Sequence, residues 1–128
     1  MNVTVTGQEG ADGSLIWTIN GDPPGKSELS FPKNSGSQLI HYVLDDQTNR
    51  GFEFHQTDPF WAAKDLGACP PSGSSCDQTT VQSCNGKQLV VHNKNSGAAC
   101  TVNYQLNLVD AESNAVEVDP IIKNGGSG

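Results

Sequence analysis

Few residues in this chain have types and spacings that could do chemistry, and the clearest are its aspartyl-prolyl pairs. They stand at Asp22-Pro23, Asp58-Pro59 and Asp119-Pro120. The first two sit among turn-forming residues, where aspartate bonds to nearby amides and proline presets the backbone. The third interrupts AVEVDPII, residues 115–122, where a strand would otherwise run unbroken. An aspartate carboxyl can attack its own main-chain carbonyl, and a proline nitrogen is a comparatively basic leaving amine. A fold that strained this peptide, or protonated its nitrogen, would cut itself at Asp119-Pro120 without an external nucleophile. The plainer use of Pro120 is to stop further pairing along a terminal strand.

A second candidate is a divalent-metal set of His41, Glu53 and His55. The segments QLIHYVLD (38–45) and GFEFHQ (51–56) flank DQTNR, which reads as a hairpin loop. With Asp45 opposite Gly51, His41 faces His55 across the hairpin and Glu53 lies beside them, a donor set a divalent cation accepts. The alternative is a pair of solvated histidines on an open sheet face. In the same pairing Ile40, Tyr42, Leu44, Phe52 and Phe54 share the inward face.

Other chemistries lack their residues. There is no GxSxG elbow. Cys69, Cys76, Cys84 and Cys100 do not have the CxxC spacing of a structural zinc site. A blue-copper site needs two histidines and a weak axial ligand around its cysteine, but the only methionine is Met1. No cofactor is expected. Four cysteines allow three complete pairings. Cys69 and Cys76 could clamp the PPSGSS loop, and Cys84 could reach Cys100 if their strands are neighbours. Cys100 also fits a buried thiol.

The elements that must position these residues are strands. The chain has 128 residues, the size of one domain, with 14 glycines and 34% hydrophobic residues. That mixture suits strands and polar turns rather than helices. Period-two alternation marks NVTVT (2–6), SLIWTIN (14–20) and SELSFP (27–32), then the two segments above. It resumes at TTVQSC (79–84), KQLVVHN (87–93), ACTVNYQLNLVD (99–110) and AVEV (115–118). Between them, Thr57 to Thr80 reads as one long central loop, with a helical turn around FWAAKD capped by Asp58. The expectation is an all-β, immunoglobulin-like β-sandwich of seven to nine antiparallel strands spanning residues 1–122. Residues 123–128 read as a flexible Gly-rich tail.

The net charge of −7 disfavours nucleic acid and anionic membrane surfaces as partners. No apolar leader follows Met1, so the expected address is the cytoplasm, or outside it with a leader removed.

DPFW in the middle and EVDPIIKNGG at the end, with IHYVLDD and YQLNLVD before it, resemble the DP-EP family, small bacterial proteins with an immunoglobulin-like sandwich. The resemblance covers roughly residues 38–124. It implies an aspartic-peptidase-like self-cleavage near the C-terminal Asp-Pro, carried here by Asp119 and Pro120, with Tyr42, Asp45 and Lys94 of suitable type to assist. Such proteins have a Ser-Pro ahead of that bond, and Glu117-Val118 stands in its place. The first expectation for function is therefore a binding or assembly module that meets a protein partner, or itself, through edge strands. Self-processing and metal binding are the alternatives.

Overall fold

The computed structural model describes residues 1–65 and 70–127, and apart from one short 3-10 turn its regular elements are strands. In chain order these are β1 (Asn2–Glu9), β2 (Leu15–Ile19), β3 (Glu28–Phe31), β4 (Gln38–Asp46), β5 (Glu53–Phe54) and β6 (Phe60–Lys64). Then come β7 (Thr79–Cys84), β8 (Gln88–Asn93), β9 (Cys100–Val109), β10 (Ala115–Val118) and β11 (Ile121–Asn124). Among the described residues no helix is long and apolar enough to cross a membrane.

The first sheet runs β2-β1-β4-β8-β7. The second is built on β9, which pairs β5 and β6 along one side and β10 and β11 along the other, with β3 beyond β11. The two sheets share one apolar core. Val3, Val5, Ile40, Tyr42, Leu89 and Val91 come from the first, and Leu29, Phe31, Val102, Tyr104, Leu106 and Ile122 from the second. Ile40, Tyr42, Leu44, Phe52 and Phe54 are all buried, as alternation requires. Trp17 is half-buried and lies edge-on to Phe52 with ring centroids 5.1 Å apart.

Five expectations need correction. The strands are not all antiparallel, because β1 runs parallel to β4 and β11 parallel to β3. Eleven strands form among the described residues, rather than seven to nine. The long loop after Thr57 is broken by β6, and FWAAK is a strand rather than a helical turn. A single turn of helix would leave β9 from Val102 to Leu106 without a neighbour on that side, whereas the extended chain pairs five residues, Phe60 to Lys64, with it. The hairpin of 38–45 with 51–56 does not form either. Asp46 accepts hydrogen bonds from the Thr48 amide (2.9 Å), the Thr48 hydroxyl (2.5 Å) and the Phe52 amide (2.9 Å), making a corner that hands the chain to the other sheet.

The last correction concerns the tail. Gly125 donates to Phe31 O (2.7 Å), Gly126 O accepts from Asn34 (2.8 Å) and Ser127 donates to Gly97 O (2.8 Å). A Cβ at Gly125 would collide with the backbone of Pro32 and Lys33, and one at Gly126 with that of Gly97 and Ala98. The glycines are there for close approach of main chains, so residues 123–127 belong to the fold.

Candidate functional site

Strand β9 carries polar residues on the face turned away from the core: Asn103, Gln105 and Asn107. A lone strand would leave these in water. Here Gln105 is 3% and Asn107 9% exposed, because neighbours rise on either side. On one side Trp61 stands directly opposite Gln105, and on the other Glu117 stands directly opposite Asn107. The segments DPFW, YQLNLVD and EVDP, separate in sequence, are thus three adjacent strands of one sheet face.

Between β5 and β6 the chain leaves the ladder for a short excursion over Asn107. His55 N–H donates to Asn107 O (2.9 Å), and Asn107 N–H donates to Pro59 O (2.9 Å), closing the excursion at both ends. Asn107 Nδ2 donates to Asp58 O (2.8 Å), and Gln105 Nε2 donates to Asn107 Oδ1 (2.6 Å). His55 Nδ1 accepts the Asp58 amide at 3.1 Å, so the neutral ring carries its proton on Nε2. The result is a groove of about 180 Å³ with Asn107 and Leu108 as floor. His55, Asp58 and Trp61 form one wall, and Ala115, Val116 and Glu117 the other. Trp61 Nε1 is sheltered from solvent and has no hydrogen-bond partner among the described residues.

No family model matches this chain, and no curated protein matches it.

Asp119 and Pro120 border the same face. The pairing frame is identical on both sides of their bond, with Val118 opposite Leu106 and Ile121 opposite Asn103. Asp119 therefore lies beside Gln105 and Pro120 beside Tyr104, whose amide donates to Pro120 O at 3.2 Å. The bond is trans and lies between β10 and β11.

The three residues of the metal set are not brought together. His41 lies on β4 between Asn2 and Val90 of the first sheet. Glu53 and His55 belong to the second sheet, where Glu53 pairs with Val109. The cause is the Asp46 corner, which removes the hairpin on which that grouping depended. Among the described residues no three His, Cys, Asp or Glu side chains form a metal set. Cys84 and Cys100 lie in different sheets, and among the described residues Cys76, Cys84 and Cys100 are free thiols. Cys69, and with it the clamp over PPSGSS, lies outside the described residues. Burial pushes the Cys100 thiol upward, with the Asp65 carboxylate adding to the rise.

Tyr42 is in the core, and Tyr104 faces it from the other sheet with ring centroids 6.0 Å apart. Burial raises both phenols far above their ordinary range. Asp45 is exposed on β4, and Lys94 is exposed beyond β8. None of these three lies in the strands that hold Asp119-Pro120. The residues that sequence reasoning missed are Gln105, Asn107 and Trp61. Their signal was available, since amides fill the outward positions of the chain's most regular strand.

Proposed function

We propose that the chain is an immunoglobulin-like, non-catalytic binding module that works through the outer face of its second sheet. The two-layer core supports the immunoglobulin-like reading, with the two parallel pairings as departures from it. The meeting of DPFW, YQLNLVD and EVDP on one face supports kinship with the DP-EP family, whose motifs these resemble. One observation carries the functional reading: a tryptophan with a sheltered N–H, unpartnered among the described residues, lines a groove floored by the buried amide of Asn107. Buried polar groups without partners are costly, so such a group at a cavity wall suits a ligand that supplies the acceptor.

Binding through a face also agrees with how the edges are built. Strand β7 has a break in register between Val81 and Ser83, and β3 runs into Pro32. Strand β10 is four residues long, carries Glu117 and runs into Asp119-Pro120. Irregularity, charge and proline are the devices that blunt a sheet edge against strand addition. The edge-pairing partner expected from sequence is therefore replaced by a face-binding one.

The test is an amide NMR titration against small cationic, neutral polyhydroxylated and anionic compounds. Shifts are expected to cluster on residues 55–61, 105–109 and 115–119, and to vanish in Trp61→Ala. Shifts confined to β2 or β7 would overturn the reading.

A further inference from the structure

We infer that the groove over Asn107 receives a basic side chain, a lysine presented by a partner peptide; this rests on the binding-module reading above. Three features of the groove select that chemistry. Its walls include the indole of Trp61 and the methyl of Ala115. Its rim carries the acidic residues Asp58 and Glu117, and no lysine or arginine lines it. Its sheltered donor, Trp61 Nε1–H, still needs an acceptor.

A lysine matches the first two together. Its four methylenes lie along apolar walls while its ammonium stays at a wet, acidic rim. An indole face also attracts such a cation through its quadrupole. The third feature distinguishes a peptide from a free amine. An ammonium cannot accept a hydrogen bond, but the main-chain carbonyl beside the lysine can take the indole N–H. At longer range the net charge of −7 draws basic partners in.

A neutral sugar fits less well, although tryptophan and amides line sugar sites in general. Sugar hydroxyls need free donors and acceptors, and here the amides are engaged with protein groups. Gln105 Nε2 donates to Asn107 Oδ1, and Asn107 Nδ2 donates to Asp58 O. A space of about 180 Å³ holds one side chain rather than a larger ligand.

The experiment uses the whole chain with Trp17→Phe, which leaves Trp61 as the single indole reporter, since there are 2 tryptophans. Acetyl-Gly-Lys-Gly-amide is titrated while Trp61 emission is followed. Versions with norleucine or glutamate in place of lysine, and methyl glucoside, form the other arms. The lysine peptide is expected to bind about tenfold tighter than the norleucine peptide, with the preference falling as salt rises. Glu117→Gln should remove about five- to tenfold of that affinity and leave norleucine binding unchanged. Equal or tighter binding of norleucine or glucoside would overturn the lysine assignment and leave the binding-module reading standing. Silence in every arm, together with no NMR shifts on this face, would overturn both. Self-association lost in Trp61→Ala would make the occupant a second copy and also overturn the assignment.

Discussion

Asp46 shows how one carboxylate decides where a chain goes. Adjacent aspartates in a turn carry little information, and Asp45-Asp46 reads from sequence as turn chemistry. In the structure Asp45 is exposed, while Asp46 gathers two amides and a hydroxyl, and Lys87 Nζ donates to Phe52 O at the same corner. Burial pushes the Asp46 carboxyl up, but the Thr48 hydroxyl and amide, the Phe52 amide and Lys87 outweigh it and hold it below the ordinary carboxylate range. A carboxylate whose pKa is depressed by folding stabilises the native state above its unfolded pKa and loses that effect as pH falls through the folded value. Asp46→Asn keeps the acceptor for the two Thr48 donors but presents an NH₂ to the Phe52 amide. It should cost about 1–2 kcal/mol at neutral pH, the worth of hydrogen bonds to a charged group. Urea midpoints measured at neutral pH and well below the usual carboxylate pKa of about 3.9 check this. The gap between wild type and variant should narrow in acid, and a gap independent of pH would mean that charge does not hold the corner.

At the scale of elements, alternation located every strand it named, and it placed Ile40, Tyr42, Leu44, Phe52 and Phe54 inside. A period of two states which face a residue takes, but not which strand lies beside it. That is why β4 and β5 were joined as a hairpin although a corner of hydrogen bonds separates them. FWAAK was misread for a related reason. Asp-Pro is a good helix start, and only the need of β9 for a neighbour makes those five residues extended. The groove was half legible, since its motifs were visible but their adjacency was not. AVEV and II do part at Asp119-Pro120, into β10 and β11, but the two keep one pairing frame against β9. This bears on self-processing. For the Asp119 carboxyl to attack its own carbonyl, the peptide must leave the extended geometry fixed by Val118 and Ile121, and Pro120 O must give up the Tyr104 amide. The fold should therefore slow the cut. In mild acid, intact mass is expected to show a fragment ending at Asp119 more slowly from native protein than from protein in urea, and none at neutral pH. Faster cleavage in the native state, lost in Asp119→Ala, would establish self-processing instead.

For the whole molecule, the C-terminal segment is what ties the two sheets together at one end. Asn93 on β8 and Asn124 on β11 exchange amide hydrogen bonds, 2.8 Å in each direction, from opposite sheets. Both are almost fully buried, at 0% and 3% exposure. Gln78 Oε1 takes a further Asn124 hydrogen at 3.4 Å, and the neighbouring Asn95 Oδ1 accepts the Gly126 amide at 2.8 Å. The segment that reads from sequence as a flexible tail is therefore held by side-chain hydrogen bonds. A buried amide pair has a characteristic energetic signature. Removing one member strands the other without water or partner, so Asn93→Ala and Asn124→Ala should each cost about 2–3 kcal/mol. Removing both strands nothing, so the double variant should be about 1–2 kcal/mol more stable than the sum of the singles implies. Denaturant unfolding of the four proteins closes this cycle. Strict additivity would mean that the two amides do not depend on each other, and that the sheets are joined at this end by apolar packing alone.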